Sequence, residues 1–178
     1  MLWFADGRLL NETPQEAVVE RRDFICHSKQ MNTSPAIDAA RQFLAVVWDG
    51  PPPTDAALTA ALDRLITAYH VTVDAAPSDS DPVAPRDGGP ALFQRVGSRF
   101  PDYGLYPLAD PTDGPDAELG WGDPIDDLGD ITLDMREVVW LADNATADDA
   151  HWSFRLLFFH WGTHARDLLR YLHGRQFG

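Results

Sequence analysis

The 178-residue chain has one cysteine, Cys26, and one lysine, Lys29. A lone cysteine excludes an intrachain disulfide and a zinc site built from several thiolates. No apolar run reaches the ~20 residues that cross a bilayer as a helix. Met1-Leu2-Trp3-Phe4 is too short for the apolar part of a signal peptide, and no basic stretch precedes it. A cytoplasmic protein is therefore expected. Positive charge is scarce as well: 14 Lys and Arg stand against 28 Asp and Glu, a net charge of −14. Such a surface repels phosphate backbones and anionic lipid, so no nucleic acid and no membrane is expected as a partner. A protein or small-molecule partner is expected instead. The glycines form no phosphate-cradling pattern behind a strand, and no serine sits in a nucleophile-elbow motif.

What is present suits a globular protein. Hydrophobic residues make up 44% of the chain, with six Trp and nine Phe. That length and apolar content can build a single buried core. Residues 1–30 differ from the rest: they hold the only Cys and the only Lys and read as an N-terminal arm ahead of a 31–178 helical domain. Met31, followed by Asn32-Thr33-Ser34-Pro35, is also a candidate for the biological start, which would make residues 1–30 an artefact of start assignment.

The apolar residues of 31–178 recur at helical spacing, which predicts an all-α bundle of about four or five helices joined by long Pro/Gly/Asp-rich loops. Ser34 caps a first helix with Pro35 at its first position, and Gly50-Pro51-Pro52-Pro53 stops it. Thr54 caps a second, carrying Leu58, Leu62, Leu65, Ile66 and Tyr69 on one face and ending near Val73. Residues 75–90 read as a mobile loop with no core-forming capacity. A short helix over 90–99 follows, then an irregular aromatic segment, 100–111, expected to pack on the helices, and a second loop over 111–120. Asp123 and Pro124 open a fourth helix with the stripe Ile125, Leu128, Ile131, Met135, Val138, Val139 and Ala142. Thr146 and Asp149 form a capping box for a fifth, with Phe154, Leu157, Phe158, Trp161, Ala165, Leu168, Leu169 and Leu172 on its stripe and Gly174 at its end.

One constellation carries chemical potential. At about 100° per residue, His160 and His164 lie one turn apart beside the fifth helix's stripe, with Tyr171 on the same flank. Asp127, Asp130 and Asp134 flank the fourth helix's stripe in the same rotational sense. A short connection makes the two helices antiparallel neighbours, so the acidic and histidine flanks share one groove. If the fifth helix starts at Ala147, the first register, Asp130 lies level with His160. If it starts near Ala150, the second, Asp134 meets His160 and Asp130 meets His164. Asp126, Asp130 and Asp134 also form an i, i+4, i+8 ladder of like charge, which costs roughly 0.2–0.5 kcal/mol per pair. The helix N-terminus offsets this for Asp126 but not for Asp130 or Asp134, so a cation is expected opposite them.

Three readings follow. Asp–His and Asp–Arg pairs tie two helices together; or Asp130, Asp134, His160 and His164 bind a divalent transition metal; or the groove takes a small ligand or peptide. The spacing is neither the metalloprotease H-E-x-x-H nor the Glu-x-x-His of di-iron bundles. Trp161 reads as core. Gly162, costing about 1 kcal/mol relative to Ala inside a helix, marks a close helix approach. The leading expectation is a non-catalytic binding or regulatory module with no cofactor. The alternative is a metal-dependent, hydrolase-like enzyme in which Asp127 is the spare base.

The strings Asp126-Asp127-Leu128-Gly129-Asp130-Ile131, Asp134, His160-Trp161-Gly162-Thr163-His164-Ala165, Leu168-Leu169 and Leu172-His173 resemble a bacterial family, the domain of unknown function 5063. The Tyr-rich segment ending at Asp110-Pro111 is similar too. The resemblance covers 34–174 loosely and 123–173 more specifically, and the histidine-tryptophan-glycine-x-histidine string is its most distinctive part. It implies a small helical bacterial protein and no particular activity. The arm before Met31 is not part of that family's pattern.

Overall fold

A computed structural model describes residues 34–178, apart from 87, 111, 113 and 115. The expected arm over 1–30 lies outside the described residues. The rest is mainly α-helical, in the order α1 (Pro35–Trp48), α2 (Asp55–Val71), α3 (Gly89–Arg99), β1 (Tyr106–Leu108), β2 (Gly120–Gly122), α4 (Pro124–Asn144), α5 (Ala147–Leu156) and α6 (Phe158–Phe177). No helix among the described residues is long and apolar enough to cross a membrane.

Helix starts follow local chemistry. The side chains of Ser34, Thr54, Asp123 and Thr146 each accept a backbone N–H of the first turn, and α1 and α4 carry proline just inside. Each such cap satisfies a donor that the helix leaves over, worth about 1 kcal/mol. The Thr146 hydroxyl also donates to Asp149 Oδ2 at 2.6 Å. Asp149 in turn accepts the backbone N–H of Ser78 at 2.7 Å, and Ala84 is buried. The 75–90 loop is thus anchored to α5 and contributes to the interior, contrary to the expectation for it. Apolar residues are too few there for a pattern to show this.

α4 packs against α1, α3, α5 and α6, while α2 packs against α1 and α6. The core holds Phe43, Leu58, Leu62, Leu65, Leu128, Ile131, Met135, Phe154, Trp161, Leu168 and Leu172, all fully buried. Side chains of this kind contribute roughly 1.5–3 kcal/mol each when removed from water. The interhelical stripes read from the sequence are the faces that meet.

Further features depart from expectation. Tyr106–Leu108 and Gly120–Gly122 pair as a two-stranded antiparallel sheet. Strands of three residues containing Pro and Gly show no alternation to read. The expected fifth helix is also two helices, broken at Leu157, whose ψ is 0°. Each half keeps the helical period, and neither Gly nor Pro marks the break. Trp161 serves the break as well as the core: its indole N–H donates to the Phe154 carbonyl at 2.9 Å, satisfying an acceptor at the end of α5. α6 runs on through Gly174 to Phe177 rather than stopping at the glycine.

Gly162 has a different neighbour from the one expected. A Cβ there would meet not a facing helix but the Phe158 ring, one turn earlier, at 2.7 Å. Phe158 lies over Gly162 and stacks on Tyr69 of α2, with ring centroids 3.4 Å apart. Gly162→Ala gains about 1 kcal/mol of helix propensity but overpacks this site at a cost of about 1–3 kcal/mol. We expect a net loss of stability in urea unfolding. The loss should shrink in a Phe158→Ala background, where the ring that clashes is gone.

Candidate functional site

The fourth helix places three carboxylates, and α6 two imidazoles, in one antiparallel seam. His160 Nδ1 lies 2.7 Å from Asp134 Oδ2, and His164 Nδ1 lies 2.7 Å from Asp127 Oδ1. Asp130 stands between them, its Oδ2 3.9 Å from His160 Nε2 and 3.4 Å from His164 Nε2. Asp134 meets His160, as in the second register, but α5 starts at Ala147, the condition set for the first. His164 holds Asp127 through Nδ1 and also meets Asp130 through Nε2.

Two kinds of carboxylate result. Asp127 and Asp134 are buried, at 5% and 2% exposure, and each holds one histidine by Nδ1. Asp130 is more open and faces both Nε2 atoms. An ionised carboxylate accepts only, so Nδ1 donates in each pair and Nε2 is the ring nitrogen left to face Asp130. Asp130, His160 and His164 each offer one ligand atom to a set lying within 4.8 Å of one another. Asp134, expected among the ligands, stands behind His160 and lies outside that set.

Asp127 has no free oxygen. Its Oδ2 accepts the Tyr106 hydroxyl at 2.6 Å while Oδ1 takes His164. The residue expected as the spare base of the enzyme alternative thus has both oxygens engaged. Tyr106 was not among the sequence candidates. The signal was its place in an aromatic segment expected to pack on the helices, but nothing local tied it to Asp127. Gly122, paired with Tyr106 across the hairpin, leaves the space its ring fills; a Cβ there would collide with it. Burial, then the hydrogen bond to Asp127, pushes the Tyr106 phenol well above its ordinary value, so it stays a donor.

Tyr171 reaches the site only indirectly. Its ring packs against Tyr106 and Tyr103, and its hydroxyl accepts the Gly104 N–H at 3.1 Å. It thus braces the segment that delivers Tyr106. Trp161 and Gly162 lie behind the histidines, in the core and under Phe158.

The field of the site is strongly negative. Burial raises the carboxyl pKa of Asp134, with His160 opposing. Burial and then Asp130 raise that of Asp126, and burial and then Asp127 raise that of Asp167. The hydrogen bond from Asp127 raises the His164 pKa above its ordinary 6.5, helped by the charges of Asp127, Asp130 and Asp126 and opposed by burial. A raised histidine pKa favours the protonated ring in the folded state. Its stabilisation is complete below about 6.5 and disappears as pH rises through the higher folded value. In EDTA-treated protein, the thermal midpoint should therefore fall as pH is raised above about 6.5. Asp127→Asn, measured over the same range, should lower the midpoint throughout and flatten this slope.

No protein-family model matches the chain, and no curated protein matches it. A solved structure with a similar fold is that of protein BF1032 from Bacteroides fragilis. The two share 16% sequence identity at a TM-score of 0.54, over 80% of this chain and 93% of that one. At that identity the likeness concerns the fold alone.

Proposed function

We propose that this protein is a helical module that binds one divalent first-row transition metal ion through Asp130, His160 and His164. The observation that carries the reading is the orientation of the two imidazoles. Each is held at Nδ1 by a buried carboxylate, which is how metal-ligating histidines are commonly fixed and made more basic. Both Nε2 atoms then face one further carboxylate. Metal–ligand bonds of about 2.0–2.2 Å put neighbouring ligand atoms roughly 3–3.5 Å apart. The Asp130–His164 spacing of 3.4 Å already suits that, and the Asp130–His160 spacing of 3.9 Å needs a shift of a few tenths of an ångström. Two imidazoles and a carboxylate suit Zn, Fe, Ni or Mn and leave positions for water or another ligand.

Charge supports the same reading. Asp126, Asp127, Asp130, Asp134 and Asp167 influence this seam or lie in it, with two histidines among them. A dication balances that excess better than the two imidazoles alone. The reading stays with binding rather than hydrolysis, because the carboxylate put forward as base has both oxygens engaged. The resemblance to the domain of unknown function 5063 adds a shared motif to this proposal and no activity.

Metal analysis of protein purified without an affinity tag should find close to one transition-metal ion per chain. Zn(II), Ni(II) or Mn(II) added to EDTA-treated protein should raise the thermal midpoint; a free ion at a hundred times its Kd stabilises by about 2.7 kcal/mol. Asp130→Ala and His164→Ala should each abolish that rise. A protein that takes up no metal in either experiment would leave the Asp–His pairs as a structural lock between α4 and α6, and the proposal would be wrong.

The pH dependence of uptake offers a further check. His164 must lose its proton to bind, so apparent affinity should strengthen as pH rises through its raised pKa. An affinity that weakens over that range, before metal hydroxide forms, contradicts ligation by His164.

A further inference from the structure

In contrast to the Asp–His seam, the opposite sign of charge collects around Trp48 at the end of α1. The guanidinium carbons of Arg95, Arg136 and Arg99 lie 5.0, 5.3 and 5.9 Å from the centroid of its ring. They come from two helices, Arg95 and Arg99 one turn apart on α3 and Arg136 on α4. The ring is fixed in turn by its N–H, which donates to the buried Thr132 hydroxyl of α4 at 3.3 Å.

This gathering runs against the composition. Acidic residues outnumber basic ones by 28 to 14, yet no carboxylate among the described residues lies within ion-pair distance of any of the three. Arg41, Arg86, Arg155 and Arg175 have such a partner, whereas Arg64, Arg166 and Arg170 also lack one but do not gather on one ring. Arg99 donates twice to the Gly50 carbonyl, while its Nε is buried without a hydrogen-bond partner. Burial, then the Arg95 charge, lowers the Arg136 pKa, the direction expected where no counter-charge dominates. One aromatic face offsets part of the repulsion, at about 0.5–1 kcal/mol per exposed contact. It does not neutralise three cations.

We propose that Arg95, Arg99 and Arg136 form, on Trp48, a binding site for the phosphoryl group of a small organic phosphate. The number of guanidiniums argues for phosphate over carboxylate. One planar fork satisfies a carboxylate, whereas a phosphate monoester carries nearly two charges and three acceptor oxygens, which several forks can share. Room for the organic part adjoins Arg136. A shallow cavity of about 330 Å³ is lined by Trp48, Arg136, Leu44, Val139, Arg41 and Asp49. Arg41 is already paired with Asp143. The cavity therefore combines a cationic end, an aromatic face and an aliphatic wall, the mixture that orients a small ligand. Nothing in this site depends on a metal at the Asp–His seam.

Titration calorimetry and thermal shift on the full chain, in EDTA and at constant ionic strength, test the site. Inorganic phosphate should raise the thermal midpoint relative to chloride. An aryl phosphate should bind more tightly than inorganic phosphate because it also uses the cavity. Arg95→Gln with Arg136→Gln should weaken both at least tenfold, while circular dichroism reports an unchanged helical content. If that double variant is unfolded, Arg95→Gln alone, at an exposed position, should still weaken binding several-fold. Asp130→Ala should leave phosphate binding intact. No advantage of phosphate over chloride, or binding that survives both arginine substitutions, overturns the proposal. Equal binding of inorganic and aryl phosphate overturns its organic part and leaves a simple anion site.

Discussion

Two buried carboxylates set the terms for the rest of the structure. Asp127 and Asp134 are almost wholly removed from water in the seam between α4 and α6. An ionised carboxylate in that position is tolerable only with hydrogen-bond donors against it. His164 and Tyr106 supply them for Asp127, and His160 supplies one for Asp134. Each donor imposes a demand of its own. The imidazoles must sit one turn apart on α6, and the phenol must arrive from outside the bundle. The hairpin, the glycine under the Tyr106 ring and the Tyr103–Tyr171 packing all serve that delivery. A small sheet in an otherwise helical protein thus seals one end of the acidic seam.

The break at Leu157 meets the same requirement from the other side. A straight helix from Ala147 would have carried His160 to the level of Asp130. The break lets α5 keep its capping box and its anchor to the 75–90 loop while α6 takes the register that brings His160 to Asp134. It also lets Phe158 turn onto Tyr69 over Gly162, and the Trp161 indole binds the Phe154 carbonyl. Core packing, loop anchoring and site geometry are therefore coupled through one residue with a ψ of 0°. A change in the packing of Phe158 or Trp161 should be felt at the histidines, although neither side chain touches a carboxylate of the site.

α4 separates charge across its width. One flank gathers Asp127, Asp130 and Asp134 against the histidines of α6. Another presents Arg136 to Trp48 and to the arginines of α3. Each flank is left with charge after the protein's own pairs are made, which a cation at one and a phosphoryl anion at the other would answer.

Much of this was legible in the residues. Ser34, Thr54, Asp123 and Thr146 mark helix starts because capping is a local hydrogen bond. The Leu, Ile and Val stripes mark buried faces because burial repeats with the helical period. The shared Asp–His groove followed from the same angles. Tyr106 escaped because its bond to Asp127 spans 21 residues and depends on a hairpin too short to show a period. The sorting of Asp130 from Asp134 escaped because it turns on which imidazole nitrogen each carboxylate meets, a matter of ångströms and not of helical angle. The Arg95–Arg136–Trp48 cluster escaped because three helices contribute to it, and charge on separate helices carries no common spacing. Composition and periodicity thus specify the helices and their inward faces, since those depend on neighbours within a turn or two. Register, the break at Leu157 and the roles of individual carboxylates arise from packing between distant segments, where one side chain's position depends on all the others that fill the same space.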